Sequence, residues 1–296
     1  MTEPPSIGLC AQTACILDVT AFKPGNVQIM SGYADMTATD FLLSGAAIAP
    51  VLEQAPFQRI GDTILSCIRS TRAVTTANTN LGIVLLLAPL ASVPSHLDLR
   101  GGVMRALLRL DVNDARAAYE AIRLARPGGL GTVADQDVAA EPTVTLREAM
   151  ALAADRDMIA RQYVNDFEQV FEGAETLREE LRGPEPDIGK AVVRLHIRML
   201  ARYPDSLIVR KCGADVAAAI SREARRLVDT QADWGVDSGN IARFGVWLGK
   251  VYHTSPGRKI GHECNPGTTA DLVTASLFVA LRQNIIQLPL PKPPPG

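Results

Sequence analysis

The sequence predicts an all-α protein, one large domain of about a dozen helices over residues 5–287, with a proline-rich tail at 288–296. Three observations carry that prediction. Apolar residues recur at helical spacing along most of the 296 residues. Alternating β-branched strands are hard to find, and aromatic residues make up only 5% of the chain. Polar, glycine-containing clusters stand directly in front of strongly apolar helical runs, which places a central polar cleft at the mouths of those helices.

Taken in order, 7–19 reads as an amphipathic helix stopped by the Lys23-Pro24-Gly25 turn, and 39–52 as a second helix ahead of Pro56. Helices at 61–75, 81–91, 97–110 and 114–125 follow. Residues 126–144 form one long irregular segment holding Pro127-Gly128-Gly129 and acidic Asp135 and Asp137; a loop of that length in a compact helical protein is more often functional than idle. Thr145-Leu146-Arg147-Glu148 is a capping box, so a long helix should start there and reach about Phe171, with Met150, Ala153, Ala154, Met158, Tyr163 and Phe167 on one buried face. Further helices are expected at 187–203, from Asp205 or Ser206 to Val228, at 239–251 and at 269–286, before a tail expected to be disordered.

A 47% hydrophobic content supplies a full core, and a formal net charge of −2 argues against a general nucleic-acid binder. Five cysteines without a CxxC pair suggest buried, reduced thiols and a cytoplasmic setting. No signal peptide is expected at the N-terminus, and the longest apolar run, 81–91, is too short to span a membrane. The partners expected are small nucleotides, without nucleic acid or membrane, and a homodimer is the protein association left open.

Helix starts expose unpaired N–H groups and a partial positive charge, which suit phosphate. Asn78-Thr79-Asn80-Leu81-Gly82 opens one apolar helix, where capping needs only one of the three polar residues. Asn265-Pro266-Gly267-Thr268-Thr269-Ala270-Asp271 opens the last helix; Thr268 and Asp271 could form a capping box, or Asp271 could hold a magnesium ion carried by phosphates. Lys23-Pro24-Gly25-Asn26 offers a mobile point charge and a close backbone approach, against the alternative of an ordinary turn with an exposed lysine. Arg210 and Lys211, one turn after a helix start, could grip phosphate or simply face solvent. Asp157 has an ordinary alternative role as an exposed pair with Arg161. There is no GxSxG, Walker or GxGxxG motif, and the four histidines lack metal-ligand spacing.

In this order the clusters resemble the triphosphoribosyl-dephospho-CoA synthase family. The matching elements are Asp18 followed by Lys23-Pro24-Gly25, Asp35-Met36 ahead of Asp40-Phe41, Asn78 to Gly82, and Asn265 to Leu272, spanning residues 14–282. The resemblance implies an all-helical transferase that uses ATP unusually. The 2′-hydroxyl of dephospho-CoA attacks ribose C1′, adenine leaves, and the triphosphate stays on the transferred ribose. It implies Asp18, Asp35 and Asp271 as catalytic carboxylates, with Asp35 and Asp271 facing Mg²⁺. Lys23, Gly25, Asn26, Asn78, Thr79, Asn80, Arg210, Lys211, Asn265, Gly267, Thr268 and Thr269 would hold the substrate and its phosphates.

The chain departs from the family pattern at several places. Asp18 stands where a glutamate is usual, Asn26-Val27-Gln28 where Leu-Val-Asp follows the Pro-Gly, Asn80 where a histidine is usual, and Thr268-Thr269 in place of Gly-Ser. The phosphate-facing frame is kept and the acceptor side differs. The alternative expectation is therefore an enzyme assembling a methanopterin- or methanofuran-type one-carbon carrier from another phosphorylated substrate.

Overall fold

The computed structural model describes residues 5–29, 36–128, 135–183, 186–230, 239–253 and 265–290. Two helices are apolar all round and sit at the centre: α4 (Leu81–Ala91) and α14 (Gly267–Arg282). Every residue of α4 except Gly82 is buried, and α14 is buried continuously from Leu272 to Leu281. A helix without a polar face is stable only when surrounded. Here α4 and α14 pack on each other, and α1 (Ile7–Thr20), α9 (Glu168–Glu180) and α10 (Ile188–Arg202) also pack on α14. Each fully buried Leu, Ile or Val contributes about 1.5–3 kcal/mol as an upper figure, so these two helices dominate the core.

Pro89 lies inside α4 and has no N–H for the carbonyl of Leu85. Tyr163 supplies the missing donor: its Oη bonds Leu85 O at 2.7 Å, and its ring is fully buried. A proline that would break an exposed helix is thus tolerated in the core.

The remaining helices wrap this centre. Helix α2 (Ala38–Glu53) packs on α1, α3 (Ile60–Val74) on α2 and on α6 (Val112–Ala125), and α12 (Ala214–Asp229) on α10 and α11 (Ser206–Cys212). Helices α5 (Leu99–Leu108) and α13 (Gly239–His253) lie at α4 and α12. Fourteen α-helices and no strand occur among the described residues. The all-α expectation holds.

The expected helix over 145–171 is instead three pieces. The capping box forms, with Thr145 N bonded to Glu148 Oε2 at 2.8 Å and Glu148 N to Thr145 Oγ at 3.2 Å, but α7 (Leu146–Ala151) ends after six residues. Asp157 caps a new helix, α8 (Met158–Val164), by accepting from Ile159 N and Ala160 N. Left-handed backbone at Asp166 (φ 57°) and Phe167 (φ 61°) then turns the chain into α9. Met158, Tyr163 and Phe167 are buried as expected, whereas Met150, Ala153 and Ala154 are only half-buried. The expected helix 205–228 likewise breaks, at Gly213 with φ 98°, where a side chain would be strained.

Cys10, Cys15 and Cys67 are buried free thiols, as expected. Cys212 is not: it is half-buried and disulfide-bonded. Cys264, like the tail at 291–296, lies outside the described residues. Among the described residues no helix is long and apolar enough to cross a membrane.

Candidate active site

The central helices α4 and α14 begin at the walls of one cavity of about 1080 Å³. The three clusters expected to act together share it: Lys23 and Asn26, Asn78 to Gly82, and Asn265, Gly267, Thr268 and Asp271 all line its wall. Asp18, Arg210 and Lys211 line it too. Gly25 and Thr269 do not line it, and Asp35 lies outside the described residues.

At the start of α4, none of the three polar residues caps the helix. Thr79 and Ser44 on α2 share a hydrogen bond of 2.6 Å between their hydroxyls. The Asn80 amide is taken by Thr71 on α3, with Nδ2 donating at 2.9 Å and Oδ1 accepting at 3.2 Å. The cluster therefore anchors the helix start to two neighbours and leaves its first-turn N–H groups without a side-chain acceptor. Against this uncapped turn lies the carboxylate of Asp271: a Cβ on Gly82 would overlap it and would come within 2.7 Å of Ile159 Cδ1. Gly82 is present because nothing larger lets the two helix starts approach.

At the start of α14 the expected Thr268–Asp271 capping box does not form. Thr268 instead accepts from Ser206 Oγ at 3.1 Å, and Thr269 is held through both N–H and hydroxyl by Asp205 Oδ2 at 2.7 and 2.8 Å. Asp271 is released by this arrangement and makes no hydrogen bond or ion pair among the described residues. Burial raises its pKa well above the usual carboxylate range; Asp18, Asp205 and Asp157 push the same way, and Arg210 opposes them. Asn26 reaches the same corner, its Nδ2 donating to Pro266 O at 3.4 Å. The Oδ1 atoms of Asn26 and Asn265 are buried without a donor.

Lys23 is not the mobile, exposed cation that the turn suggested. It is 1% exposed, its Nζ is 3.1 Å from Asp18 Oδ1, and it also donates to the Asp18 carbonyl. A lysine without water needs a partner, and Asp18 is that partner. Burial raises the Asp18 pKa, opposed by the Lys23 charge. His196 on α10 is fully buried nearby, and burial holds its pKa down to about 3, so it is neutral.

Arg210 lies at the wall and pairs with Asp157 at 3.1 Å. Asp157 therefore caps α8 and holds Arg210, rather than pairing with Arg161 in solvent. The far wall comes from the irregular segment. Tyr119 Oη donates to Gln136 O and Arg123 Nη1 to Val138 O, both at 2.7 Å, fastening 136–138 to α6. Sequence reasoning missed Ser206 and Tyr119 in the wall of this site, and Asp205 behind Thr269 outside it. The only signal was the position of Asp205 as a helix cap.

Among the described residues no three acidic, histidine or cysteine side chains gather as a self-sufficient metal site. Of the carboxylates lining the cavity, Asp271 and the exposed Asp135 make no hydrogen bond or ion pair among the described residues, and a single carboxylate such as Asp271 suits a hard cation arriving with its own phosphate ligands.

The sequence matches the family model for ATP:dephospho-CoA triphosphoribosyl transferase over residues 4–289. A solved structure described as a triphosphoribosyl-dephospho-CoA synthase from Archaeoglobus fulgidus is similar, with 27% identity and a TM-score of 0.62 over 82% of this chain and 98% of that one. No curated protein sequence matches. The family match covers nearly the whole chain and every described wall of the cavity, and the chain belongs to the ATP:dephospho-CoA triphosphoribosyl transferase family.

Proposed function

We propose that the cavity between the starts of α4 and α14 is where this transferase moves the triphosphoribosyl group of ATP to dephospho-CoA, with Asp18 and Asp271 in separate roles. The observation that carries this reading is the convergence of three distant clusters on one cavity, with Asp271 unpaired in its wall beside the start of α4. The open N–H groups of the α4 start, Arg210 and Lys211 face the triphosphate. A magnesium ion bound with ATP would be held by Asp271, with Asp35 as the second carboxylate, and would neutralise phosphate charge. The raised pKa of Asp271, crowded by Asp18, Asp205 and Asp157, is relieved by a cation there.

Asp18 faces the reacting carbon. The 2′-hydroxyl oxygen of dephospho-CoA bonds to C1′ as the C1′–N9 bond breaks; the hydroxyl proton passes to Asp18 once the C–O bond has formed, and Asp18 returns to its ionised state as solvent carries that proton to the departing adenine. Positive charge develops at C1′ in that step, and the ionised Asp18, kept in place by Lys23, stabilises it. The bare amide oxygens of Asn26 and Asn265 accept from sugar hydroxyls rather than from phosphate, which has no donor to offer.

The test is incubation with ATP, Mg²⁺ and dephospho-CoA. Free adenine in one-to-one ratio with a triphosphoribosylated product is expected. ADP or pyrophosphate without adenine would overturn the reading. Adenine released only with a precursor of a methanopterin- or methanofuran-type carrier would keep the transfer and change the acceptor.

A further inference from the structure

Asp205 is a buried carboxylate that the chemistry above does not use. It is 2% exposed, forms no ion pair among the described residues, and does not line the cavity. An isolated buried charge costs several kcal/mol unless donors surround it. Four do: Oδ1 accepts from Leu207 N at 2.9 Å and Ile208 N at 3.1 Å, and Oδ2 from Thr269 N at 2.7 Å and Thr269 Oγ at 2.8 Å. One oxygen caps α11 and the other caps α14, whose own N-cap residue, Pro266, offers no side-chain acceptor. The neighbouring residue repeats the link, as Ser206 Oγ donates to Thr268 Oγ and accepts from Met158 N at 3.3 Å. Gly267 completes it: a Cβ there would come within 2.6 Å of Leu207 Cδ2.

We propose that Asp205 is a positioning residue for ATP, fastening α11, which carries Arg210 and Lys211, to the first turn of α14. It thereby fixes the distance between the cationic side of the phosphate cradle and the Asp271 side. The inference rests on the phosphate reading of this cavity. A neutral cap could hold either helix alone. Only a carboxylate, with two acceptor oxygens and no donor, serves both at once. In Asp205→Asn the amide group places a donor against one of the two helix starts.

The experiment is steady-state adenine release, with Asp205→Asn, Thr269→Val and Glu180→Gln beside the wild type. Glu180 is a remote, nearly buried carboxylate bonded to Arg194 and Arg198 at 2.8 Å, so its loss destabilises the fold away from the cavity. For Asp205→Asn the KM for ATP should rise about tenfold or more, the loss expected for charge-assisted bonds. Its kcat and the KM for dephospho-CoA should stay within about threefold. Thr269→Val, which removes one of the four bonds, should raise the KM for ATP by a smaller factor, and it carries the test should Asp205→Asn not fold. Glu180→Gln should lower the melting temperature without moving KM. An unchanged KM for ATP in folded Asp205→Asn or Thr269→Val would overturn the proposal, as would an equal rise in Glu180→Gln. A wild type without saturable dependence on ATP would instead overturn the phosphate reading beneath it.

Discussion

The starts of α4 and α14 look alike in sequence, each a run of small polar residues before an apolar helix, yet they are finished in opposite ways. At α4 the polar side chains turn away from the helix and bind its neighbours, Thr79 to Ser44 and Asn80 to Thr71, and the first turn stays open. At α14 a buried carboxylate from another helix closes the first turn at Thr269, and the one acidic residue of its own cluster, Asp271, points toward the open turn of α4. The difference shows that polar residues at a helix start need not cap it. One start stays bare and the other presents a carboxylate; in the proposed reading the first takes phosphate and the second its cation.

The strongest way to break this pairing is to separate the two starts. Gly82→Ala places a methyl group where the Asp271 carboxylate lies, and kcat/KM should fall about 100-fold, the cost of an ångström-scale misplacement, with the fold retained. Asp18→Asn leaves the hydrogen bonds of both starts in place and removes the proposed proton acceptor, so kcat should fall by about 10²- to 10⁴-fold while the KM for ATP changes little; it also takes the counter-charge from buried Lys23, so the melting temperature should fall. Asn80→Ala removes the anchor of the bare start, leaving the Thr71 hydroxyl only its bond to Cys67 O. Thermal unfolding should report a loss of about 0.5–1.5 kcal/mol.

Smaller effects lie behind the site. His196 has its pKa held to about 3 against 6.5 in an unfolded chain. Between those values the unfolded chain binds a proton that the folded chain does not, so this histidine's contribution is present above pH 6.5 and is lost as pH falls toward 3. Buried Asp18, Asp205 and Asp271, with raised pKa values, act in the opposite direction. The comparison must therefore be with His196→Met, whose melting temperature should decline less than the wild type's between pH 7 and 4. Asp111, exposed and held to about 2 by Arg59, gives the smallest effect: Asp111→Asn should matter only above about pH 2–4, where the wild-type carboxylate is ionised.

Much of this was legible in the sequence. Helical spacing gave the all-α class and the placing of α1, α2, α3, α4 and α10 to within a few residues. The three clusters were visible as polar residues in front of helices too apolar to be exposed. What stayed hidden depends on partners distant in sequence or on the path of a loop. Asp205 caps a helix 64 residues away, a relation no local pattern encodes. The Lys23-Pro24-Gly25 turn looks solvent-exposed until the chain folds Lys23 back onto Asp18 and under α10. The long helix expected at 145–171 failed because Asp157, a residue with an ordinary surface alternative, starts a new helix and holds Arg210 at the cavity.

Calorimetric titration of ATP, with Mg²⁺ and with chelator, into the wild type and Asp271→Asn most directly tests whether the bare and the carboxylate-bearing helix starts hold one metal-bound polyphosphate. The wild type should bind one ATP per chain at least about tenfold tighter with Mg²⁺, a difference of about 1.4 kcal/mol, and in Asp271→Asn that preference should vanish. An undiminished Mg²⁺ preference in Asp271→Asn would contradict the account.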